Sequence, residues 1–134
     1  MKEEKILFIC KFNRFRSRVA ERYLKKINPR AHVKSAGLIR GRPLDKIQIS
    51  LAKEAGVDIS GNPKGLTSKL LIWQNVIVIV ADDVPKEIFN NEKCGKETIV
   101  WNIPDAKSDE KQKVRKIIKS IKNRVDKLNK ELAR

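Results

Sequence analysis

The chain has 134 residues and a formal net charge of +15, from 31 Lys and Arg against 16 Asp and Glu, a size that buries one core over residues 1–134 and no second domain. Its two cysteines, Cys10 and Cys94, and its lone histidine, His32, fit neither a disulfide framework nor a zinc spacing, so no metal or cofactor is expected and a reducing cytoplasm suits the chain best. The start MKEEKILFIC is neither a secretory leader nor a membrane span, which implies a soluble, unprocessed protein.

Charge is uneven: residues 1–42 hold 13 Lys and Arg against Glu3, Glu4 and Glu21. Such a field attracts anions of any kind, whether nucleic acid, an acidic membrane surface or a small phosphorylated or oxyanion substrate, and does not choose among them.

In chain order, KILFI (5–9) is a continuous apolar run and predicts a central parallel strand buried on both faces. From Ser17, a good N-cap type, SRVAERYLKKI places Val19, Ala20, Tyr23, Leu24 and Ile27 at helical spacing until Asn28-Pro29 stops it. HVKSAG reads as a short second strand closed by Gly37, and GLIRGRPLD as a surface loop. Residues 45–55 predict a helix ending at Gly56, TSKLLIW a short one, and NVIVIVA a core strand. DDVPKEIFNNEKCG mixes turn and loop before ETIVW supplies a fourth strand. Beyond Pro104-Asp105, Val114, Ile117, Ile118, Ile121, Val125, Leu128 and Leu132 form one apolar stripe on a charged helix. Alternating strands and helices predict a three-layer α/β domain: a four-stranded parallel sheet flanked by helices.

Ligand sites in open parallel sheets lie at the carboxyl ends of strands, and Cys10 stands at that edge. The loop from Lys11 to Arg16 then enters the first helix, whose free N–H groups and dipole make an anion site and favour a nucleophilic sulfur. Arg16 can return to grip two oxygens of a phosphoryl group as a planar fork. Ser17 can hydrogen-bond the sulfur, and Asn13 tolerates the left-handed backbone that a loop wrapped around one anion requires. Lys11, Phe12, Arg14 and Phe15 complete the loop as candidate substrate-binding positions, although Phe12 and Phe15 also suit packing beneath it.

With these residues in view, C-x5-R-S in CKFNRFRS, followed by Ala20-Glu21, resembles the low-molecular-weight protein tyrosine phosphatases and their arsenate reductase relatives. The likeness continues in SAG (35–37), GVDIS, the NVIVIVA strand and the aspartate of WNIPD. It implies a phosphate-binding loop after the first strand and a two-step hydrolysis of a phosphorylated protein or small anionic phosphorylated substrate through a phosphocysteine. Cys10 would be the nucleophile, Arg16 the binder of transition-state oxygens, and Asp105 the acid and then the base. Asp82 and Asp83 are weaker rivals for that last role.

Departures from the pattern bear on the substrate. Phe12 replaces the family's usual glycine and Arg18 its proline, and Asp105 follows a proline instead of preceding one. Lys11, Arg14 and Arg18, with Arg40 and Arg42 beyond SAG, make a basic mouth, and Ala106, Lys107 and Ser108 offer no aromatic beside the acid. A substrate smaller or more anionic than a phosphotyrosyl peptide is therefore expected. Two alternatives stand: an arsenate reductase-type thiol relay using Cys10 and Cys94, and a catalytically silent fold that binds polyanions or nucleic acid through its basic surface. Membrane association is not expected, and the sequence does not specify an oligomeric state.

Overall fold

The computed structural model describes residues 4–40, 42–89, 97–107 and 109–132. Cys94 and Ser108 lie outside the described residues.

Four parallel strands form one sheet in the order β2-β1-β3-β4: β1 (Lys5–Cys10), β2 (His32–Gly37), β3 (Val76–Val80) and β4 (Glu97–Trp101). The apolar runs of β1 and β3 are continuous because both of their faces are covered. Ile6, Phe8, Val76, Val78 and Val80 point into one core, while Leu7, Ile9, Ile77 and Ile79 point into a second on the opposite face. The first core is covered by α1 (Arg16–Ile27), α2 (Lys46–Glu54) and α4 (Lys111–Leu132). Against the second lie α3 (Ser68–Trp73) and a short 3-10 turn at Lys86–Phe89. Among the described residues no helix is long and apolar enough to cross a membrane.

Three boundaries differ from the sequence reading. Strand β1 takes in Cys10, because Cys10 still pairs with Gly37 of β2. Helix α1 begins two residues early, at Arg16, with Phe15 in place of Ser17 at the N-cap and no side-chain cap, so Ser17 is free for another role. Helix α4 starts only at Lys111, because residues 102–107 are committed to a loop closed by Lys107 N–H on Glu110 Oε1 at 3.0 Å. Elsewhere the capping chemistry is as the residues suggest: Asp45 caps α2 and Thr67 caps α3.

Helices α1 and α4 are also joined by a polar bond. Tyr23, the chain's one tyrosine, donates its hydroxyl to Asp126 Oδ1 at 2.7 Å. That bond to a carboxylate, with some desolvation, pushes its pKa up from 10.0 to about 12. The neutral phenol is the form the fold favours, so its stabilising contribution is full below pH 10.0 and fades as pH rises through about 12. Near-ultraviolet titration of the tyrosinate is expected to show a midpoint near 12 in the native protein. In Asp126→Asn the midpoint should fall back toward 10.0.

Candidate active site

Cys10 ends β1 at the carboxyl edge of the sheet, buried at 2 % exposure. Residues 11–15 then turn back over it, and α1 leaves from Arg16. The turn requires a left-handed residue, which Asn13 supplies with φ 55°. Cys10 and Lys11 carbonyls anchor the loop's entry by accepting from Leu38 and Ile39 N–H at 2.9 and 2.8 Å. Among the described residues, the backbone N–H groups of residues 12–17 donate to no protein acceptor. Buried polar N–H groups are rarely left so. In a loop that runs from a strand end into a helix start, free N–H groups of this kind suit an anion.

The loop is held from within by Asn13, which is fully buried. Its amide nitrogen donates to Ser17 Oγ at 2.8 Å and Ser35 Oγ at 2.9 Å, while its oxygen accepts from Lys64 N–H at 2.8 Å. Ser35 in turn donates to Glu21 at 2.7 Å. Ser17 Oγ lies 2.9 Å from Cys10 Sγ. Because Asn13 already occupies an acceptor site on that oxygen, the hydroxyl hydrogen is available to the sulfur. Asn13 thus acts through structure: its side chain is spent inside the protein, and what it offers a ligand is the shape of the loop.

Phe15 is likewise a core residue, 2 % exposed among Ile6, Phe8 and Val19, so its ring is unavailable as a substrate contact. Phe12 stays half-buried at the mouth, with Lys11 Nζ at 5.3 Å and the Arg42 guanidinium at 5.0 Å from its ring centroid. Arg14 reaches toward Asp45, 3.8 Å away.

Arg18 does not belong to this mouth, contrary to the expectation that it shapes substrate choice. It is 1 % exposed and faces the segment after α2. Its guanidinium donates to the carbonyls of Ile59 (2.8 Å), Ser60 (2.7 Å) and Asn62 (3.0 Å) and approaches Asn13 Oδ1 at 3.4 Å. Burial, with neighbouring Arg22, lowers its pKa from the ordinary arginine value, and the surrounding oxygens keep the cation satisfied. The same segment is shaped by Asp58, whose carboxylate takes both the hydroxyl and the N–H of Ser60 and is thereby held below the usual carboxylate range.

Arg16 is nearly buried and extends from the loop toward the carboxyl ends of β3 and β4. One nitrogen donates to Ile103 O at 2.9 Å; the other meets both oxygens of Asp83 at 3.0 and 3.2 Å. Asp82 lies 3.8 Å away and Asp105 Oδ2 4.0 Å. The sequence ranked Asp83 low; the structure gives it the direct pair with Arg16, an orienting role for the guanidinium. Asp105 stands beside the same guanidinium with half its side chain exposed, and its other oxygen accepts from Ala106 N–H at 2.9 Å. Arg16 and Asp105 are thus brought to within 4.0 Å of each other, with Asp83 paired to the same guanidinium, while Arg18 and Ser35 hold Asn13 of the loop.

A cleft of about 550 Å³ adjoins this group, lined by Arg14, Asp45, Asp105, Lys107, Glu110 and Lys113 among others, with no aromatic ring among its described lining residues. A groove of about 630 Å³ between β4 and α4 is larger but holds none of the Cys10 loop.

Comparison with known proteins agrees with this geometry. The family model described as low molecular weight phosphotyrosine protein phosphatase matches residues 5–134. The fold is similar to that of Wzb from Vibrio vulnificus, solved with benzylphosphonate: 26 % identity over 97 % of this chain and 99 % of that one, TM-score 0.80. It is also similar to the YwlE arginine phosphatase from Geobacillus stearothermophilus (22 % identity, 97 % and 93 % covered, TM-score 0.80). An arsenate reductase from Archaeoglobus fulgidus shares the fold as well (23 % identity, 92 % and 98 % covered, TM-score 0.74). A search of curated proteins finds no significant match.

Proposed function

The chain belongs to the low molecular weight phosphotyrosine protein phosphatase family, and from that premise we propose that it hydrolyses phosphate monoesters through a phosphocysteine formed on Cys10. The observation that supports the reading is the buried Cys10 at the start of a loop whose N–H groups have no protein acceptor among the described residues, a loop that leads into Arg16, with Asp105 4.0 Å from the Arg16 guanidinium.

In the first step the Cys10 sulfur attacks phosphorus, the phosphorus–oxygen bond to the leaving group breaks, and the departing oxygen takes a proton from Asp105. In the second, water attacks phosphorus, Asp105 accepts its proton, and the sulfur–phosphorus bond breaks to return the thiolate and release inorganic phosphate. The loop N–H groups and Arg16 stabilise the negative charge on the equatorial oxygens in both steps. Ser17, 2.9 Å from the sulfur, stabilises it as attacker and as leaving group. A free catalytic thiol of this kind suits a reducing cytoplasm.

The substrate is small or strongly anionic, such as a nucleotide or a phosphorylated metabolite. Lys11, Arg14 and Arg42 at the mouth and the ring-free cleft beside Asp105 support this, since a phosphotyrosine ring has little to stack against.

Rapid acid quench during p-nitrophenyl phosphate turnover, followed by peptide mass spectrometry, is expected to find phosphate on the Cys10 peptide; its absence during active turnover would refute the covalent route. Comparing kcat/KM across phosphotyrosine and a panel of phosphometabolites tests the substrate, and preference for phosphotyrosine would overturn that part alone. Thiol-dependent arsenate turnover, lost in Cys94→Ser, would instead favour reductase chemistry.

A further inference from the structure

The phosphate loop and the segment that carries Asp105 come from distant parts of the chain, and the first turn of α2 touches both. Asp45 caps that turn, accepting from Ile47 and Gln48 N–H at 2.9 and 3.0 Å, while its other oxygen faces Arg14 of the phosphate loop at 3.8 Å. Gln48, 3 % exposed, points the other way and donates its amide nitrogen to the carbonyl of Ala106 at 3.3 Å. A carbonyl only accepts, so the nitrogen must be the end that faces Ala106. The amide oxygen is then buried with no partner among the described residues. Leaving such an oxygen unsatisfied costs about 1–3 kcal/mol, a penalty that an apolar side chain of equal length would avoid.

What Gln48 holds explains its presence. Ala106 follows Asp105, and its N–H donates to Asp105 Oδ1 at 2.9 Å. The peptide groups on either side of Ala106 are therefore both engaged: one is tied to the Asp105 carboxylate and the other to Gln48. On the opposite flank the carbonyl of Ile103 is held by Arg16 at 2.9 Å and by Asp82 N–H at 3.0 Å. Asp105 sits between these two anchors, and at the Ala106 end the buried anchor is Gln48.

We propose that Gln48 is a positioning residue for the reaction: it fixes the Ala106 end of the acid loop so that the Asp105 carboxyl is aimed at the leaving-group oxygen. Through Asp45 and Arg14 the same helical turn fixes the phosphate loop, so one turn of α2 sets the distance between acid and nucleophile. The inference rests on Asp105 serving as the acid, as proposed above.

Gln48→Met keeps length and burial and removes the amide, the donor together with its unpartnered oxygen. The two diagnostic substrates are p-nitrophenyl phosphate, whose leaving group needs little protonation, and phenyl phosphate, whose leaving group needs much. Gln48→Met is expected to lower kcat for phenyl phosphate about tenfold and for p-nitrophenyl phosphate less than about threefold, with KM unchanged. Asp105→Asn should show the same selectivity more strongly. If Asp105→Asn is selective and Gln48→Met is not, the positioning role is overturned; if Asp105→Asn is itself unselective, the acid assignment fails instead. Should Gln48→Met melt early, Gln48→His, which restores a donor, is expected to recover the wild-type ratio between the two substrates. Failure to recover it in a folded Gln48→His would also overturn the proposal.

Discussion

Cys10→Ser is expected to lose p-nitrophenyl phosphate hydrolysis by about 10⁴-fold or more while still binding inorganic phosphate. A serine hydroxyl stays protonated at neutral pH, and Ser17, the group 2.9 Å from the sulfur, is no base that could activate it. The loop backbone and Arg16, to which anion binding is assigned in the proposal above, are left in place by the substitution. Steady-state kinetics and calorimetric titration with inorganic phosphate check the two halves. A serine variant that keeps most of its rate would remove Cys10 from the mechanism, and one that loses phosphate binding as well would show that the sulfur shapes the loop.

Gly37→Ala carries the largest expected structural effect. A Cβ at this position would lie 2.5 Å from the Phe12 carbonyl carbon and 2.7 Å from the Asn13 nitrogen, both backbone atoms of the phosphate loop. Gly37 cannot retreat: its N–H donates to Lys64 O at 2.8 Å, its carbonyl accepts from Leu66 N–H at 2.9 Å, and it pairs with Cys10. The loop must therefore move. We expect a destabilisation of about 3 kcal/mol in urea unfolding and a fall of about 10²-fold in kcat/KM, the scale of a misplacement near 1 Å. Wild-type stability and turnover in this variant would mean the loop does not rest on Gly37.

The layered fold was legible because its signals are strong and local. Continuous apolar runs in β1 and β3 and the single stripe of α4 admit few arrangements. The placing of Cys10 at a strand end, a left-handed Asn13 and a helix start close behind was legible for the same reason, since all of these fall within a dozen residues. What could not be read was direction. Arg14, Arg16 and Arg18 alternate along the chain with the same charge, yet one faces the cleft, one the carboxylates and one the interior. Helical geometry turns each residue about 100° from the last, and the carbonyls that Arg18 and Arg16 bond lie 41 to 87 residues away. Asp83 and Gln48 were illegible for a related reason: a carboxylate or amide in an otherwise ordinary turn gains its meaning only from the distant group it meets.

The clamp formed by Arg18 bears on how portable this phosphate loop is. Residues 59–62 present three carbonyls inward, and Gly61, at φ 126°, leaves room for the guanidinium that would sit 2.8 Å from a Cβ there. A loop transplanted from a relative with proline after the serine would bring the nucleophile and the arginine but take away the donor that those three oxygens share. The segment after α2 would have to be exchanged with it, so the unit that can be swapped between relatives is a pair of segments some forty residues apart and not the ten-residue signature.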